Sequence, residues 1–135
     1  QIYVNSSQDL DQQLEQLYTD YLENKLDQYA IGRDYAAGLD AFLSREIESP
    51  IADLGAQGEP VTCGLAIKDK EQRAILHDEV LADALAKHLR MKAAWQEKAL
   101  MVKSGNSIIF VDEPYMVSYG SAFASLSREK VTSAN

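Results

Sequence analysis

Apolar and polar positions alternate along the chain in a way that predicts three helices and a short set of strands. From Asp9 to about Leu26, apolar or aromatic residues recur at Leu10, Leu14, Leu17, Tyr18, Tyr21 and Leu22. That 3, 4, 3 spacing is the signature of an amphipathic helix, and Asp9 and Asp11 in its first turn suit the helix dipole. A second helix is predicted from about Asp34 to Glu48, with Tyr35, Leu39, Phe42, Leu43 and Ile47 on one face and Ser49-Pro50 as its stop. The longest runs from about Asp78 to Lys103, where Leu81, Ala84, Leu85, His88, Met91, Trp95, Ala99 and Val102 fall on one stripe. Ser104-Gly105-Asn106 then supplies a C-terminal stop.

The segments between are shorter. Ile2 to Val4 has strand character, and Asn5, Ser6 and Ser7 follow as turn or cap residues. Ile51 to Pro60 is glycine-containing and gives no clear signal. Pro60-Val61-Thr62-Cys63 fits either the end of a strand or the start of a short helix, and Asp69-Lys70-Glu71-Gln72 is a polar connection. The most telling stretch is the unbroken apolar run Ile108-Ile109-Phe110-Val111, which halts at Asp112, Glu113 and Pro114. Four such residues without alternation predict a strand buried on both faces, as in a parallel sheet covered by helices. Pro114 has no N–H for a ladder and biases Glu113 away from helix, so strand pairing should end there. Helix, tight loop, buried strand and a loop of small residues together spell an α/β fold. Ser127 is a candidate cap for a last helix from Arg128.

Composition narrows the function classes. At 135 residues the chain is a single domain with a modest core. Its 46% apolar and 25% charged residues are an ordinary globular balance. A net charge of −8 with no local cluster of Lys and Arg argues against nucleic acid or an anionic membrane as partner. One cysteine, Cys63, excludes an internal disulfide framework and fits a reducing compartment. No apolar run approaches the roughly 20 residues of a membrane span, so a cytoplasmic protein is expected. Gln1 opens directly on strand-like residues and Asn135 falls in what reads as the first turns of a helix. Both ends predict a piece of a longer protein.

In parallel α/β folds, ligands sit beyond the carboxyl ends of the strands, which makes Asp112 and Glu113 the first candidates for chemistry. Each can accept hydrogen bonds from a substrate ammonium or hydroxyl; each can equally cap a neighbouring helix or pair with an arginine at the rim. Adjacent residues point differently, so one of the two, Asp112, is expected to face a pocket centre. Tyr115 and Tyr119 could line such a pocket or pack within their loop. His88, on the apolar stripe, is expected to be a core or interface histidine, and His77 lies 11 residues away from it. Cys63 has no base near it in sequence and fits a small apolar role. Trp95 is expected in the core.

Two segments resemble a known family. Pro60-Val61-Thr62, with Lys68-Asp69-Lys70-Glu71-Gln72-Arg73 after it, is similar to the G-P-V-T and R-D-D-Q-P-R segments of cobalamin-independent methionine synthases. After an intervening long helix, Val111-Asp112-Glu113-Pro114 resembles their strand-end I-D-E-P-A. The likeness covers roughly residues 55 to 125, and it extends to shorter single-barrel relatives of the synthase. These proteins share a (β/α)8 barrel with uroporphyrinogen decarboxylase, so the resemblance implies part of a TIM barrel. It also implies that Asp112 binds the amino group of homocysteine or methionine, with Glu113 and Tyr115 beside it. Tyr115 replaces the motif's alanine, Ala66 stands where the folate-associated tryptophan falls, and Glu59 replaces the glycine before Pro60. These departures weigh against folate and leave the amino-acid end of the pocket.

The family's catalytic zinc is held by a His, two Cys and a Glu from later strands. No H-x-C and no second cysteine follow Asp112 in this chain. A complete barrel takes roughly 250 residues. The expectation is therefore a fragment of a methyltransferase acting on a thiol such as homocysteine, inactive as an isolated chain. A relative acting on another thiol or a tetrapyrrole is the alternative within enzymes. Outside them stands a non-catalytic half-barrel that self-associates, with the helix Asp78 to Lys103 as its interface, since unclosed strands expose a sheet edge.

Overall fold

A computed structural model of the chain describes residues 2–5, 9–45, 52–56, 60–103 and 105–118. Among these residues four helices and four strands follow in the order β1 (Ile2–Tyr3), α1 (Leu10–Glu23), α2 (Ala37–Ser44), β2 (Ala52–Ala56), α3 (Pro60–Ala66), β3 (Ile67–Lys68), α4 (Glu79–Met101) and β4 (Ser107–Val111). Short 3-10 turns lie at Asp27–Tyr29, Arg33–Tyr35, Ile75–His77 and Pro114–Ser118. The strands form two parallel pairs, β1 with β3 and β2 with β4. The second pair runs from Ala52 opposite Ser107 to Ala56 opposite Val111. Because α3 and α4 lie between its two strands in the chain, this is a βαβ connection, the repeating unit of parallel α/β folds. The architecture is thus α/β with parallel strands, and no closed barrel forms among the described residues.

Local chemistry explains most boundaries. Asp9 caps α1 by accepting the Gln12 N–H, and Asn24 ends it three residues short of the predicted Leu26 by adopting a left-handed conformation with φ 53°. Asp78 caps α4, its carboxylate taking the N–H groups of Val80 and Leu81. The second predicted helix is shorter than expected: Arg33–Tyr35 is a 3-10 turn, and the α-helix proper ends at Ser44. Tyr35, expected on the apolar face, is exposed. Residues 46–50 lie outside the described set, as do Tyr119 and the predicted Ser127 cap.

Among the described residues the core has three clusters. Ala36, Leu39 and Leu100 gather Phe42, Leu43, Trp95 and Ile109 around them. Val61 and Leu76 hold Leu65, Ala82 and Met116. Leu26, Tyr29 and Met91 pack with Leu17, Tyr21, Ala94 and Trp95. In the second cluster, Gly64 lets α3 approach the Ile75–His77 turn closely, since a Cβ there would stand 3.0 Å from Leu76.

The apolar run Ile108–Val111 corrects an expectation. It forms β4, but neither face is fully buried. Ile109 is half-buried against the cluster of Ala36, Leu39 and Leu100, whereas Ile108, Phe110 and Val111 remain 62%, 53% and 51% exposed. Side chains alternate across a strand, so the helices meet β4 on one side, at Ile109, leave Val111 open on that same side, and nothing among the described residues covers the other. The long helix is the hub of the fold, with α1, α3 and β4 all packing against it.

Candidate functional site

The site forms where β4 gives way to the turn Pro114–Ser118. Pro60 opens α3, and proline suits that position because it has no N–H to leave unpaired. The first donors needing partners are therefore Val61 and Thr62. Glu113, arriving from the end of β4, supplies them. One carboxylate oxygen accepts the Val61 N–H at 2.8 Å, and the other accepts the Thr62 N–H and hydroxyl, each at 2.9 Å. Thr62 Oγ1 in turn accepts the Tyr115 N–H at 3.3 Å. One buried threonine thus fastens the chain on both sides of Pro114. Met116, anchored on Val61 and Leu76, holds the turn from beneath.

This geometry separates the three predicted residues. Glu113 is half-buried, and both of its carboxylate oxygens are engaged in capping α3. Asp112 is exposed and has no partner among the described residues. Tyr115 uses its backbone in the clamp, and its side chain is 44% exposed. The two segments carrying the family likeness, some 50 residues apart in sequence, meet directly here.

The polar run after α3 is a self-contained loop. Asp69 accepts the Glu71 and Arg73 N–H groups and the Arg73 Nε–H, each at 2.9 Å. Desolvation pushes the Asp69 carboxyl up, but the bonds from Arg73 outweigh it and hold the group below the usual carboxylate range. Gln72 turns the chain with φ 64°, and its side chain accepts the Tyr3 hydroxyl at 3.2 Å. The loop is thereby pinned to β1.

His88 is half-buried, its ring edge-on to the buried Tyr29 with centroids 5.3 Å apart. Burial, helped by nearby Lys92, lowers its pKa from 6.5. His77 is exposed and Cys63 half-buried on α3. Among the described residues no three His, Cys, Asp or Glu side chains converge as a metal site. With Cys63 as the sole cysteine, the residues present do not fit the thiolate-rich zinc site that the family likeness implies.

Sequence reasoning passed over two residues. Thr62 is one. The other is Asp20, only 1% exposed, whose carboxylate accepts Gln16 Nε2 at 2.8 Å, the Tyr29 hydroxyl at 2.9 Å and Gln28 Nε2. Burial first, and then this bond to Asp20, pushes the Tyr29 hydroxyl up to about 12. The signal was present in the pattern: Asp20 lies one turn from Leu17 and next to Tyr21, on the apolar stripe of α1.

Comparison of the chain with protein-family models, with curated proteins and with solved structures found no match. No helix among the described residues is long and apolar enough to cross a membrane.

Proposed function

We propose that the chain is part of a (β/α)8-barrel methyltransferase resembling the cobalamin-independent methionine synthases. In this reading it contributes the amino-acid end of the pocket. Asp112 accepts the ammonium group of a homocysteine-like substrate, and Glu113 acts by positioning. The observation that carries the reading is the Glu113–Thr62 clamp. It commits one carboxylate of the pair to α3 and leaves the other exposed at the carboxyl end of a parallel strand, where α/β folds place ligands. Alternation along β4 runs Ile108, Phe110, Asp112 on the face away from the helices. That is the face a barrel turns inward. The zinc ligands do not come together in this chain, so no methyl transfer is assigned to it alone.

The test is binding of L-methionine to the 135-residue chain by NMR, beside its des-amino analogue 4-(methylthio)butanoate. Methionine should shift signals around Asp112, Asp112→Asn should abolish those shifts, and the analogue should fail to produce them. Glu113→Ala should instead destabilise the fold by about 2–3 kcal/mol, since it strips charge-assisted bonds from a helix end. Equal binding of the analogue, or full binding by Asp112→Asn, removes the role given to Asp112. A second reading, assembly through the open face of β4, is favoured by the exposure of Ile108 and Phe110.

A further inference from the structure

Away from the strand end, a cleft of about 330 Å³ lies between the C-terminal end of α1 and the middle of α4. Its floor and one wall are apolar: Leu26 and Met91 are buried, Ala94 is half-buried, and Leu22 stands beside them 83% exposed. Its rim is polar, formed by Tyr21, Asn24 and Arg90. Arg90 donates from Nη1 to the Tyr21 hydroxyl at 3.0 Å, and its guanidinium carbon lies 5.8 Å from the Tyr21 ring centre. The guanidinium is thereby held in place while most of its five N–H donors are left over. It makes no ion pair among the described residues, in a chain whose net charge is −8. The Tyr21 hydroxyl accepts from Arg90 and keeps its own O–H to give.

We propose that this cleft binds a small organic monocarboxylate with a short, unbranched apolar tail. A planar carboxylate matches the guanidinium fork, and the Tyr21 O–H and the Asn24 amide offer further donors beside it. The tail lies on Leu26, Met91 and Ala94 with Leu22 as its lid. The cleft volume is at the lower end of the range for small-molecule sites, about 300–1,000 Å³. One negative charge is the fitting number. The carbonyl end of α1 borders the same rim through Asn24, and the negative pole of a helix opposes an anion in proportion to its charge, so it opposes a monoanion less than a dianion such as phosphate. Lys87, 5.3 Å from the Tyr21 ring centre, adds positive potential but is already paired with Asp83. None of the lining residues belongs to the Asp112 tetrad, so the proposal does not depend on the barrel reading.

The probes are octanoate, octylammonium and inorganic phosphate, titrated into the full 135-residue chain and followed through the Leu22, Leu26 and Met91 methyl signals. Octanoate should give saturable shifts confined to these residues; octylammonium and phosphate should not. Arg90→Gln, a change at an exposed position, should weaken octanoate at least tenfold. Leu22→Gln, equally exposed, should weaken it severalfold through the tail alone. Equal binding of octylammonium, unchanged binding by Arg90→Gln, or the absence of saturable shifts overturns the assignment.

Discussion

The two faces of β4 differ in what meets them. On the helix side Ile109 packs against the cluster that holds Leu39 and the fully buried Leu100. On the far side Ile108 and Phe110 carry comparable apolar surface into the open. A strand with this composition normally spends both faces on packing. The contrast shows that more than half of the surface of Ile108 and Phe110 stays out of the packing of the described fold.

The largest effect that sharpens this contrast should come from the closed side. Leu100→Ala removes a side chain with no exposed surface and should cost about 2–5 kcal/mol. In thermal unfolding followed by circular dichroism, the midpoint should fall by roughly 10 °C or more; a shift of only a degree or two would break the comparison. The helical layer, away from β4, should carry a pH dependence through His88 packed on Tyr29. Its folded pKa lies below the value of 6.5 for a free histidine. Above that pH both states are neutral and the contribution is complete. As pH falls through 6.5 the unfolded chain takes up its proton first, so stability declines until the folded histidine titrates. Unfolding between pH 7 and 5.5 should show this decline, and His88→Gln should flatten it. The smallest change in stability belongs to the open side. Phe110→Thr should leave the unfolding free energy within about 0.5 kcal/mol while raising the monomer fraction in sedimentation velocity. A large loss of stability would mean that the face is covered after all.

The same contrast explains what could be read in the sequence. α4 was legible to within about two residues at each end, because a capping aspartate and a long apolar stripe are local signals. Its buried positions were less so. Met91 was expected inside and is, but Val102 is exposed while Leu100 is buried. The helix meets α1 along one part and β4 along another, so its inward face turns along its length. β2 was invisible for a different reason. Ala52-Asp53-Leu54-Gly55-Ala56 has little intrinsic strand preference, and pairing with β4 decides its conformation. At the site, an acid at the strand end capping a neighbouring helix is one of the two readings the sequence leaves open, and Glu113 does this at α3. Thr62 was not legible, since its importance comes from a contact across half the chain. The partial covering of β4 was beyond any local pattern, because a composition suited to burial cannot say whether a partner surface is present.

Trp95 touches two of the three clusters, that of Leu39 and Leu100 and that of Leu26 and Met91, and it is the sole tryptophan of the chain. A single indole therefore straddles the seam between the two halves of the helical layer. Its emission is a built-in gauge of whether those halves melt together or in sequence, with no label attached. One fluorescence transition would mark the layer as a single cooperative unit, and two would place the weak joint at that ring.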